Sequence, residues 1–362
     1  MSSRFFVAFL FLTSALSNYR AMASDKIVLV AGGERQAVDI PAISARLYEP
    51  FGAEFDAVGN LWIIEMASGN RLLKMDHQGV LTHVAGKMYR AVGSQPLTIQ
   101  SENEPGPESR FNGPHNLAIA ADGTVLIADT WNGRIREVHP KTHQVRSLAS
   151  YSVPIEKAKS SGPYCISLDP QKKALYVADL NFIRALNLGS GMSSIVAGNG
   201  KKGVPPDGSI AKETPLVDPR AVAVDSRGKV YILERGGHAL RVVSPDGTIK
   251  TVVNASGKKG LSEIRGSGLD AAMNGPKHMC VDQQDRVVIA DAENHIVLRY
   301  DPKDGTITRI AGTGKSGRDG LGGDPLQCQL ARPHGVSIHP KTGELYITDS
   351  YNDRILKIGS SQ

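Results

Sequence analysis

A chain of 362 residues with 41% hydrophobic and 22% charged residues has material for a packed core and is not a disordered chain. Beyond the first 23 residues no apolar run reaches the ~18 needed to cross a bilayer. The three cysteines, Cys165, Cys280 and Cys328, are too few for a disulfide scaffold.

In chain order, the first element is an address. Arg4 precedes an apolar stretch from Phe5 to Leu16, and Ala21-Met22-Ala23 has the small-x-small form of a cleavage site. Residues 1–23 read as a signal peptide, and export to the periplasm or the extracellular space is expected. Its removal takes away Arg4 and Arg20 and lowers the net charge from +6 to +4. Export disfavours nucleic acid as a partner despite the basic balance. No membrane insertion is expected after cleavage, and the mature chain is expected to be a monomer with mostly buried, free cysteines.

The remainder repeats itself. Pro50, Pro114, Pro163, Pro219, Pro276 and Pro333 each open a short apolar segment, at spacings of 49 to 64 residues. Fifteen or sixteen residues after each proline comes an acid: Glu65, Asp129, Asp179, Glu234, Asp291 and Asp349. Each unit reads as four strands of about five residues. An apolar strand such as Leu117 to Ile119 is followed by a Gly/Asp turn and a second apolar strand ending at the acid. An Asn/Gly turn, an amphipathic third strand and a β-branched fourth strand complete it. Six such units make an all-β, six-bladed propeller of four-stranded antiparallel blades.

The ends of the chain test this reading. The sixth unit stops near Ile358-Gly359 after its third strand, whereas Ile27 to Gly32 resembles the fourth strands Ile307 to Gly312 and Ser194 to Gly198. The N-terminal strand is therefore expected to complete the last blade, giving one domain over residues 24–362.

The last copy carries Ala311-Gly312-Thr313-Gly314, Asp319-Gly320, Pro333-His334-Gly335-Val336, Tyr346-Ile347-Thr348-Asp349 and Asn352-Asp353-Arg354-Ile355. In these motifs the chain resembles the NHL-repeat propellers over residues 26–358. The resemblance implies a fold; such propellers serve as lyases, lactonase-like enzymes and binding platforms alike.

In a propeller the first strand of each blade lines the central channel, so the residue after each proline should meet the others at one mouth. These residues are Phe51, His115, Tyr164, Arg220, Lys277 and His334, with His278 beside them. The long loops 86–112, 198–218, 255–275 and 312–332 should border the same mouth, where variable loops on a rigid ring concentrate binding. Lys201 and Lys202 occupy a loop equivalent to that of Lys258 and Lys259. With Arg220, Arg235 and Lys277 they would make one side of the mouth cationic and suited to an anionic small molecule, a glycan, a peptide or an acidic protein face.

Two enzymatic alternatives stand beside this binding module. The chain distantly resembles the peptide-amidating lyases, in which three His on alternate blades hold zinc. The matching positions here are His115, Arg220 and His334. Two can ligate a divalent metal such as zinc, while a guanidinium has no lone pair to donate. Arg235 resembles an arginine that this family turns on its substrate, and Tyr164 lies at the mouth; with His115 and His334 they would form the site of a lyase or hydrolase. The calcium-dependent gluconolactonase-like propellers place oxygen ligands at the mouth, where this chain has aromatic and cationic groups. The six acids, repeated once per blade, read as architecture: carboxylates accepting turn N–H groups, near arginines such as Arg71, Arg134 and Arg354.

Overall fold

Strict alternation of short β-rich segments with Gly, Asn and Asp turns leaves each segment able to pair only with its neighbours in sequence, and up-and-down sheets result. A computed structural model describes residues 25–32, 40–66, 68–88, 102–153, 157, 162–261 and 263–360; the expected signal peptide lies outside the described residues. Six antiparallel sheets form a ring. The inner strands begin at Pro50, Asn116, Cys165, Pro219, His278 and Gly335. Each contacts the next, and the sixth returns to the first.

The ring is closed as the repeat pattern requires. The N-terminal strand Asp25–Gly32 pairs antiparallel with Arg354–Ser360, with Ile27 opposite Ile358. The sixth blade thus takes three strands from one end of the chain and one from the other. Two blades carry a fifth, short outer strand that the repeat did not announce. Ile40–Pro41 pairs with Val80–Ala85, and Arg265–Ser267 with Thr306–Ala311. In both cases an inter-blade loop covers part of an outer edge whose N–H and C=O groups would otherwise lack partners. Apolar faces of adjacent blades pack as the core, with Ile63, Ile127, Val177, Ile232, Ile289 and Ile347 essentially inaccessible.

The acid series ties each blade to the loop that enters it. The carboxylate accepts a backbone N–H from that loop in five blades: Tyr48 to Glu65, Asn112 to Asp129, Val217 to Glu234, Asn274 to Asp291 and Ala331 to Asp349, at 2.7–2.8 Å. Only Asp179 takes its N–H from the following turn, from Phe182 at 2.7 Å. The arginine partners also differ from the expectation. Arg71 and Arg354 pair with Glu65 and Asp349, each at 2.7 Å, and so do Arg184 with Asp179 and Arg241 with Glu234, at 2.8 Å. Arg134 instead reaches the Val153 carbonyl at 3.2 Å, while the Asn132 amide bonds Asp129 at 2.8 Å.

A second device joins neighbouring blades. After each acid the chain makes a tight turn containing one left-handed residue: Asn70, Gly133, Leu180, His238, His295 or Asp353. Where that residue has an acceptor side chain, it takes the N–H of the residue preceding the next blade's proline. Asn70 holds Gly113 at 3.0 Å, His238 holds Gly275 at 3.1 Å, His295 holds Arg332 at 3.0 Å and Asp353 holds Glu49 at 2.8 Å. The held residues are themselves left-handed, with φ between 46° and 57°. A residue before proline ordinarily stays extended. Asp218, before Pro219, is left-handed too, with φ 55°, although Leu180 offers it no clasp, so the packing of the turn imposes this geometry and the clasp adds to it. Gly113 shows the pressure: a Cβ there would lie 2.5 Å from the Trp131 ring.

Candidate functional site

Each inner strand starts at its proline or two residues after it, so the post-proline side chains gather around one mouth of the channel. Phe51 stacks on His334 with centroids 4.0 Å apart and meets His115 edge-on at 5.4 Å. His115 meets Tyr164 edge-on at 4.8 Å, and the Arg220 guanidinium lies 3.9 Å over the Tyr164 ring. Lys277, the next member, is within electrostatic range of both Arg220 and His334. The circuit runs Phe51, His115, Tyr164, Arg220, Lys277, His334, one side chain per blade.

His278 does not join it. It lies one level deeper, where its Nε2 meets the Asn116 amide nitrogen at 3.0 Å. Asn116 belongs to the second blade and His278 to the fifth, which stand opposite each other, so this contact crosses the channel axis. Asn116 is held in turn by the Ile166 N–H at 2.8 Å.

The mouth is short of negative charge. Arg235 pairs with Asp218 at 2.6 Å, and Glu293 serves both Lys277, at 3.2 Å, and Arg332. Arg220 is 6% exposed, yet no carboxylate lies within ion-pair distance of it among the described residues. Burial, with repulsion from Arg235, pulls the Arg220 guanidinium down to about 10. Burial and the nearby Arg220 likewise pull the Lys277 ammonium down to about 8.

The two histidines carry no charge of their own. Burial and the surrounding cations hold both imidazoles well below their usual range. In each, Nδ1 donates to a backbone carbonyl two residues earlier, Gly113 at 2.7 Å and Arg332 at 2.8 Å. That fixes the tautomer and leaves Nε2 as an acceptor. Phe51 separates the two rings, and no group of three or more His, Cys, Asp or Glu suited to a metal occurs among the described residues. The third position of the zinc pattern is the cation Arg220, so these residues do not fit a three-histidine site.

Several mouth residues escape the sequence reading. Asp218 and Arg332 are the residues before Pro219 and Pro333, Glu293 follows the acid of the fifth unit by two, and the Tyr351 hydroxyl oxygen accepts from the Arg332 guanidinium at 2.7 Å. The repeat marks their positions, but their chemistry differs from blade to blade and gives no periodic signal. The loop lysines do fall at equivalent sites. Lys202 bridges to Leu216 and Lys259 to Met273 in the same parallel geometry that joins Ser316 to Leu330. Lys201, Lys202, Lys258 and Lys259 are all exposed, and none has an ion-pair partner among the described residues. All three cysteines are free; Cys165 and Cys328 are buried and Cys280 half-buried. No helix among the described residues is long and apolar enough to cross a membrane.

Comparison with known proteins agrees with this architecture. The family described as Teneurin NHL domain matches residues 103–274, and the NHL repeat matches residues 330–358. Human Teneurin-1 is 23% identical over 286 residues, which is 74% of this chain and 10% of teneurin; the chain thus spans about a tenth of that relative's length. An auxiliary nutrient binding protein from Bacteroides thetaiotaomicron superposes with a TM-score of 0.68 at 15% identity, over 92% of this chain and 76% of the other. A streptogramin B lyase superposes with a TM-score of 0.53 at 15% identity, over 94% of this chain and 99% of the other. Likeness at these identities is likeness of fold.

Proposed function

This chain is an NHL-repeat six-bladed β-propeller, and we propose that it is an exported binding module whose loop-bearing mouth receives an anionic group. Arg220 carries the reading. A guanidinium that is 6% exposed and lacks a carboxylate partner bears a desolvation cost of several kcal/mol, which an arriving anion offsets. Tyr164 fixes the plane of the guanidinium by stacking, so its N–H fork is pre-oriented.

Lys277 and Arg235 add charge beside it, and the exposed Lys201, Lys202, Lys258 and Lys259 extend the field outward, where it steers encounter more than it holds the bound state. The fold shared with an auxiliary nutrient binding protein supports binding as the task. An anionic small molecule, an acidic glycan, a peptide carboxylate or an acidic protein face all satisfy the chemistry.

A dye-labelled penta-glutamate peptide, followed by fluorescence anisotropy, tests the reading. Arg220→Gln should weaken its binding about tenfold or more, and added salt should weaken binding to the native chain. Equal affinity and equal salt dependence in the variant would refute the assignment. The lyase or hydrolase alternative predicts a different pattern, in which His115 and His334 control turnover and the loop lysines matter little.

A further inference from the structure

Past the Asn116–His278 contact the channel widens into a cavity of about 520 Å³ that opens at the end away from the cationic mouth. Its lining comes from the far ends of the inner strands and the turns after them, with contributions from all six blades. The volume has a cause in the sequence. Four residues after each repeat proline stand Glu54, Ala118, Ser167, Ala223, Cys280 and Ser337. Five of these side chains are small, so the layer cannot fill the axis, and Glu54 is the one long member.

Glu54 shares the cavity with the apolar side chains of Leu117, Ile119, Ile166 and Val281. Its carboxyl has no side-chain hydrogen-bond or ion-pair partner among the described residues. The nearest cation, Lys172, already donates its ammonium to the Ile119 carbonyl at 2.9 Å. Asp282 and Asp285 at the outer rim are engaged with Arg286, at 2.7 Å, and with Ser226. Burial lifts the Glu54 carboxyl to about 8, against the opposing pull of Lys172 and of the Phe55 backbone N–H, so the cost of desolvating its ionised form outweighs the help those two give.

We propose that this lower cavity binds a small organic ammonium ion with an apolar body, the charged head against Glu54 and the body along the aliphatic walls. Size and shape suit it: ligand sites span roughly 300–1,000 Å³ and combine apolar walls with a few placed polar groups. Charge suits it as well: the lining carries Glu54, Asp169, Asp282 and Asp285 against the single cation Lys172, while the cations of the opposite mouth lie beyond the Asn116–His278 contact. Binding is accompanied by loss of the Glu54 proton to solvent, so that an ammonium and a carboxylate meet. This site is independent of the cationic, anion-binding mouth.

Titration calorimetry with n-hexylammonium chloride tests the proposal, with hexanol and hexanoate as isosteric controls. At pH 7 the ammonium should bind saturably and the two controls should not. The heat should vary with the ionisation enthalpy of the buffer, reporting proton release. Glu54→Gln should weaken binding about tenfold or more and abolish the buffer dependence, whereas Arg220→Gln should change neither. Ser167→Leu, which fills the same layer from the third blade, should block binding and serves the same purpose if the glutamine variant does not fold. Absence of saturable binding, equal binding of hexanoate, or full affinity in Glu54→Gln would overturn the proposal. So would loss of binding in Arg220→Gln, which would move the site to the other mouth.

Discussion

Asp353 accepts the backbone N–H of Glu49 at 2.8 Å, although 304 residues separate them. The bond joins the last blade to the first and repeats, across the chain's two ends, the clasp that Asn70 makes on Gly113 between consecutive blades. Ring closure therefore rests on two layers of contact: this side-chain bond at the mouth and the strand Asp25–Gly32 on the outside of the sixth blade.

Removing residues 24–32 should lower the melting temperature sharply and promote association. It strips the partner from Arg354–Ser360, and an unpaired strand edge recruits other chains. Thermal melts combined with sedimentation velocity would report both effects. A monomeric deletion variant with the native melting point would refute this closure.

The clasps of His238 and His295 require a neutral imidazole, because Nδ1 accepts an N–H in each. Burial lowers both pKa values below the usual 6.5, and accepting the N–H acts in the same direction. A folded pKa lower than the unfolded one gives stability that is present above the unfolded value and is lost as pH falls through the folded value. Melting temperature should therefore drop as the pH is taken below about 6.5. Replacing both histidines by Asn, the residue that does the same task at position 70, should flatten that part of the profile.

Two members of the acid series should respond in opposite ways to amide replacement. Asp349 pairs with Arg354, and their side chains are 0% and 1% exposed. Asp349→Asn leaves that guanidinium buried without its counter-charge and should cost about 3–5 kcal/mol. Asp291 has the Asn294 amide and the Asn274 N–H as partners and no arginine, and burial raises its carboxyl to about 8. A raised folded pKa gives stability that is complete below the unfolded value near 3.8 and is lost as pH climbs through 8. Asp291→Asn should remove that decline, so urea unfolding at pH 8.5 should find it at least as stable as the native chain.

Substitutions at the mouth should separate field from contact. Replacing Lys201, Lys202, Lys258 and Lys259 with serine should change stability by under ~0.5 kcal/mol at each site. It should slow association with an anionic peptide and flatten its salt dependence, because exposed charges act through a field screened over ~8 Å. Anion binding beside Lys277 should also raise its pKa from about 8, giving proton uptake in calorimetry near that pH. Retained anion binding in the lysine variant, combined with loss of turnover in His115→Ala or His334→Ala, would instead mark a channel-mouth enzyme.

What the sequence determined by itself is whatever the repeat carries. Proline at the start of each inner strand and an acid at the end of each second strand specify the blades, and the missing fourth strand near Ile358 specifies the partner at Ile27. The six post-proline residues likewise follow from register alone, because a strand's start is fixed by its turn. Tertiary structure decided everything that depends on residues from different blades meeting. Arg241 and Arg184 hold their acids while Arg134 turns to the Val153 carbonyl and leaves Asp129 to the Asn132 amide. Arg220 is left without a carboxylate because Asp218, two residues away in sequence, turns to Arg235. The contact of Asn116 with His278 spans 162 residues and crosses the axis, so its existence depends on the radius of the closed ring. The cavity at Glu54 arises the same way: its layer of small side chains leaves room only because six strands, spread over the whole chain, converge on one channel.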